Sequence, residues 1–200
     1  MNKPATWILA VAALGVAITS CSADVSVSKP SSSAPAATSS SEDTATYSGN
    51  GVTLDYPATW QRLDQATTGT STGTAIWNQA FGPGDTEANL AILTAYQLKL
   101  DVSNVPADQI KKEIGTTLDQ IAQQAGGSRV GELAPASLGS LPGFQATIDA
   151  KGPSGQAVQS RVVLAFDHDV EYFLNCQYES SAQADILAGC DTIEQSFSTS

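Results

Sequence analysis

The chain offers few places for chemistry. Its one histidine, His168, stands in Asp167-His168-Asp169-x-Glu171, the densest group of metal-ligating and acid–base side chains in the sequence. Alternating carboxylates open a calcium loop, but such a loop needs a glycine at its sixth position and a bidentate Glu at its twelfth. Tyr178 occupies the twelfth position here. A Ser-His-Asp triad would have to use His168 as its base. Neither H-E-x-x-H nor G-x-x-x-x-G-K occurs. The run therefore reads as a solvated acidic turn, and no catalytic residue, metal ligand or cofactor is expected. Tyr56, Trp60, Trp77 and Phe81 gather aromatic surface in the N-terminal half. They suit either a ligand platform or sheet packing, and packing is the commoner fate. The Thr/Gly stretch from Thr67 to Thr74 either lines a pocket mouth or joins two strands.

Cys21 carries the sharper signal. Lys3 is followed by an apolar run from Trp7 to Ile18, then Thr19, Ser20 and Cys21. A charged start, an apolar stretch and small residues make a secretory signal, too short for a comfortable spanning helix of about 20 residues. Ending on cysteine, it resembles a bacterial lipobox. That resemblance implies that residues 1–20 are removed and that Cys21 is acylated. The expected partner is thus the lipid bilayer, and the expected location is the extracytoplasmic face of the cell membrane. Each buried CH₂ of an acyl chain contributes about 0.8 kcal/mol, and two chains hold stably.

Removing residues 1–20 also removes Lys3, leaving 8 basic against 20 acidic residues and a formal charge of −12. Nucleic acid is an unsuitable partner, because its affinity rests on Lys and Arg at phosphates. Anionic lipid would repel the chain, so attachment falls to the anchor. Three cysteines are present. With Cys21 acylated, only Cys176 and Cys190 can pair, and an oxidising compartment favours that disulfide. The rival, a metal or redox role, lacks both further ligands and a C-x-x-C spacing.

These residues need elements to position them. Residues 21–46 form a Ser/Ala/Pro/Thr tether without apolar periodicity, which cannot offset its ordering entropy and would reach about 25–30 Å. Residues 47–200 read as one domain. Val52, Leu54 and Tyr56 alternate as a half-buried strand. Further strands are expected near Trp60–Leu63, Ala75–Phe81 and Asn89–Lys99. Ile110, Ile114, Leu118, Ile121 and Ala125 then recur at helical spacing, with Pro106 before them and Gly126-Gly127 as the stop. Strands are expected near Arg129–Leu133, Phe144–Ala150, Gln156–Asp167 and Val170–Tyr178, the last two joined through the His168 turn. Phe173 opposes Leu174 in face, so both sides of these strands are covered, as central strands require. Ile186, Cys190, Ile193 and Phe197 mark a closing helix.

Tyr47-x-x-x-Gly51-Val52-x-Leu54-x-Tyr56-Pro57-x-x-Trp60 resembles the opening of the PsbP-like lipoprotein families. The tether, acidic charge and cysteine pair are similar to actinobacterial envelope lipoproteins of the LpqN type. The resemblance implies an α+β fold, an antiparallel sheet flanked by helices in an α/β/α sandwich, with no shared catalytic motif. The function expected is a non-catalytic binding or accessory protein of the cell envelope. Its partner would be an envelope protein or an apolar ligand. The alternatives are a lipid or glycolipid carrier with a cavity between sheet and helix, and a hydrolase built on His168.

Overall fold

The alternation around Val52 becomes two paired strands, β1 (Thr44–Gly49) and β2 (Val52–Pro57), in a computed structural model that describes residues 44–63, 74–84, 88–152 and 155–200. Residues 1–20, Cys21 and most of the expected tether lie outside the described residues. Strand β1 begins at Thr44, ahead of the boundary expected at Tyr47. Its composition, T-A-T-Y-S-G, resembles the tether before it. Pairing with β2 rather than apolar content makes it a strand.

Strands β3 (Gln61–Leu63), β4 (Thr74–Gly82) and β5 (Leu90–Gln97) follow, then helix α1 (Ala107–Gln124). Pro106 stands at its N-cap and Gly126 closes it at φ +70°. Gly127 N–H donates to the Ala122 carbonyl and Gly126 N–H to that of Gln123, a Schellman ending that only a left-handed residue completes cheaply. Strands β6 (Ser128–Leu138), β7 (Leu141–Lys151), β8 (Ala157–Asp167) and β9 (Val170–Tyr178) precede helix α2 (Gln183–Ser196) and the short β10 (Ser198–Thr199).

Seven strands form one antiparallel sheet in the order β3-β4-β5-β9-β8-β7-β6. Its central strands are buried on both faces. Tyr96, Val162, Leu164 and Phe173 pack toward Ile114, Leu118 and Ala122 of α1. Leu93, Val163 and Leu174 pack toward Ile186, Cys190 and Ile193 of α2. Each Val, Leu, Ile or Phe among them contributes about 1.5–3 kcal/mol on leaving water. The layer on the α2 side differs from a simple helical one. Strands β1, β2 and β10 form a separate three-stranded sheet beside α2. The C-terminus is sewn to β2: Asp55 N–H donates to Ser196 Oγ (2.8 Å) and Ser200 N–H to the Gly51 carbonyl (3.0 Å). The architecture is thus the expected α+β sandwich with an added small sheet.

Candidate functional sites

Strand periodicity puts Cys176 on the Leu174 face of β9, and helical periodicity puts Cys190 on the inner stripe of α2. The two are disulfide-bonded, with Cα atoms 6.3 Å apart and a sequence separation of 14. Both are fully buried. The bridge fastens the middle of α2 to the central strand, as expected.

His168 occupies the β8–β9 turn at φ +54°, and 73% of its side chain is exposed. The fold brings it beside two residues that the sequence did not single out. Ser103 Oγ lies 3.2 Å from His168 Nδ1 and donates to Asp101 Oδ1 at 2.5 Å. Asp101 Oδ2 lies 3.5 Å from the same Nδ1, and Asp167 Oδ1 lies 3.8 Å from Nε2. Hydrogen bonds from the Ser103 hydroxyl and backbone N–H hold the Asp101 carboxyl below its usual range. A Ser-His-Asp relay needs serine and aspartate on opposite nitrogens of the imidazole. Here Asp101 and Ser103 converge on one nitrogen and on each other, and Asp167, 3.8 Å from the other nitrogen, lies beyond hydrogen-bond distance, all in the open. The cluster instead pins the segment 98–106 to the turn, together with Val102 N–H to the His168 carbonyl and Leu98 N–H to that of Asp169. Glu171, which sequence proximity grouped with this turn, faces the other way, into the core.

The residues Gly69-Thr70-Ser71-Thr72-Gly73 spell G-x-S-x-G, a spacing that becomes a nucleophile elbow between a strand and a following helix. They lie outside the described residues, and a strand, β4 beginning at Thr74, follows them directly.

The aromatic group is core. Phe81 is fully buried between Tyr47 (centroids 5.8 Å) and Tyr56 (4.7 Å), and Trp60 is buried against α2. Trp77 is half-buried at the rim, tilted against Tyr47 at 6.4 Å. An open groove of about 440 Å³ runs between the C-terminal part of α2 and strands β6 and β7, lined by Pro135, Ser137, Gln145, Glu194 and Gln195 among others. Nearby, Arg161 bonds Asp191 and Glu194, each at 2.6 Å, while its Nε–H is buried without a partner. Burial raises the Glu194 carboxyl, and the Arg161 guanidinium opposes that shift. The groove is polar and open, unlike a closed apolar cavity for lipid.

Glu171 is the least expected feature. It is fully buried at 0% exposure, and neither carboxyl oxygen has a hydrogen-bond partner among the described residues. Across the sheet it stands between Tyr96 of β5 and Phe166 of β8. Burial alone pushes its carboxyl up to about 8, so at neutral pH it holds its proton. Asn175, on the same face of β9, also leaves its Oδ1 buried and unpartnered. Thr94 and Ser160 are buried on that face as well. Among the described residues, the buried polar side chains of the sheet thus all face α1. A sequence signal existed: Glu171 and Asn175 alternate in phase with Phe173, on a strand expected to be covered on both sides.

No family model matches the sequence, and no curated protein matches it. Among solved structures, cyanobacterial PsbP (CyanoP) from Synechocystis is similar in fold. It is 11% identical, the match covers 84% of this chain and 98% of that one, and the TM-score is 0.50. LpqN, involved in cell envelope biogenesis of Mycobacterium tuberculosis, is 12% identical with coverage of 80% and 93% and a TM-score of 0.48. A Bacteroides thetaiotaomicron protein is 8% identical over 75% of this chain, with a TM-score of 0.46. This chain spans 45% of that protein's length. The sheet flanked by two helices, and its likeness to cyanobacterial PsbP, make this a PsbP-like α+β fold.

Proposed function

We propose that this chain is a lipid-anchored extracytoplasmic protein acting as a non-catalytic binding or accessory factor of the cell envelope. The observation that carries the reading is the pairing of Cys176 with Cys190 in a chain whose remaining cysteine, Cys21, ends a lipobox-like run. A disulfide suits an oxidising compartment, and the third thiol stands where an acyl anchor would be attached. No helix among the described residues is long and apolar enough to cross a membrane. In this reading attachment falls to Cys21. The open polar groove beside α2 offers a surface for such a partner.

Metabolic labelling with a fatty-acid analogue tests the anchor. The wild-type chain takes up label and fractionates with membranes, whereas Cys21→Ala takes up none. Unchanged labelling of Cys21→Ala overturns the anchor. Crosslinking in intact cells, with the groove carrying a photoreactive residue at Gln195, tests the binding role. Specific adducts that a second photoreactive residue at the exposed Gln123 does not give are expected. Identical adducts from both positions count against a binding surface there.

A further inference from the structure

We propose that Glu171 is a proton-operated latch: protonated, it lets residues 98–106 close over the end of the sheet, and ionised, it drives that strap open. The Glu171 carboxyl is sealed from water and lacks a hydrogen-bond partner among the described residues. A neutral acid tolerates such a place, but an unpaired carboxylate there must either reach water or gain a partner. Tyr96 faces it from β5, and its hydroxyl is itself raised by burial and by Glu171. Phe166 faces it from β8. Helix α1 brings the apolar stripe of Ile110 and Ile114 to this core. On the strap, Val102 is buried, Lys99 is exposed, and Asp101 is exposed and engaged with Ser103 and His168. No neighbouring charge contributes to the shift of Glu171, which comes from burial alone.

The second link is what would yield. The strap runs from the end of β5 to the start of α1, the helix that covers the face to which Glu171 points, and it is tied to Asp169 in the turn just before Glu171. Its fastenings are largely superficial: Leu98 N–H to the Asp169 carbonyl (2.7 Å), Val102 N–H to the His168 carbonyl (2.9 Å), Gln97 Nε2–H to the Leu98 carbonyl (3.4 Å), the Ser103–His168 contact (3.2 Å) and the Asp101–His168 contact (3.5 Å), beside the buried Val102 side chain. The opposite layer is held by a disulfide and by the sewn C-terminus. Local opening follows the path of fewest buried contacts, so the strap is the element that admits water to Glu171. Opening it would also uncover the phenol of Tyr96 and the end of the polar row running to Asn175. A binding protein would thereby present a different surface above and below the carboxyl's titration.

Hydrogen exchange on the full chain at pH 6 and pH 9, corrected for intrinsic rates, tests the latch. Wild-type protein should show at least a tenfold loss of protection in residues 98–106 at the higher pH, with α2 unchanged. Glu171→Gln, nearly the same shape, should show no such loss. His168→Asn should keep it, because the strap's contact with the turn histidine is not the trigger. Three results overturn the proposal: equal behaviour of wild type and Glu171→Gln, loss of the effect in His168→Asn, or deprotection spread equally over α2. A carbon-13 carboxyl titration of the wild type gives an independent check that does not rely on a variant. A Glu171 midpoint near 4.5 also overturns it.

Discussion

The indole of Trp60 lies directly on Gly189 of α2, so that a Cβ at 189 would overlap its Cζ2 and Cη2 atoms. The glycine costs helix propensity, since alanine in a helix interior is favoured by about 1 kcal/mol. Here the close approach of helix and ring decides the sign. Overpacking a filled core costs about 1–3 kcal/mol. Gly189→Ala should therefore lower the melting temperature although it improves the helix. Combining it with Trp60→Leu should cost less than the two single changes added together, as contacting sites do. A stabilised Gly189→Ala protein would show that the ring moves aside freely.

The disulfide closes a loop of 14-residue separation, for which the unfolded-state entropy amounts to about 3 kcal/mol. Replacing both cysteines by serine should lower the unfolding midpoint and expose α2 to exchange before the central strands. Mass spectrometry of the non-reduced chain checks the pairing directly. Alkylation of both Cys176 and Cys190 without prior reduction would contradict it.

What the sequence disclosed depended on periodicity. The stripe Ile114, Leu118 and Ala122, and the alternation from Val170 to Tyr178, carry their own register, and both elements lie where those patterns place them. Strands β1 and β10 carry no such pattern. Thr44–Gly49 and Ser198–Thr199 are small and polar, and they become strands only because both edges of β2 are free to pair. The sites divided in the same way. Cys176 and Cys190 could be brought together from two local periods. Ser103 and Asp101 could not be brought to His168, because a long irregular connection carries no period to read. Sequence proximity groups Glu171 with the exposed turn, whereas strand alternation sends it inward, under the α1 layer.

His168 serves as a further check on the reading without catalysis. It is exposed, and its turn requires a left-handed backbone. Asparagine tolerates that conformation, so His168→Asn should shift stability by no more than about 0.5 kcal/mol. The envelope crosslinks of the protein should be unchanged. A folded His168→Asn protein that has lost its cellular role, while keeping those crosslinks, would favour the hydrolase alternative.

Glu171 also sets a pH dependence of global stability, with a sign that follows from its burial. Its ordinary value is 4.5, and in the folded chain it rises to about 8. Between those values the folded protein keeps a proton that the unfolded chain releases. Stability from this group is therefore fully present below pH 4.5, falls as pH rises, and levels off once pH passes about 8. Within the window the slope approaches about 1.4 kcal/mol per pH unit for a single proton. Other carboxylates titrate over part of the same range, so the useful quantity is the difference between wild type and Glu171→Gln in urea unfolding from pH 5 to pH 9. That difference should move steadily in favour of the glutamine variant as pH rises. Parallel stability curves across the whole range would mean that the Glu171 carboxyl finds a partner or water in the folded protein, and the buried neutral acid would have to be abandoned.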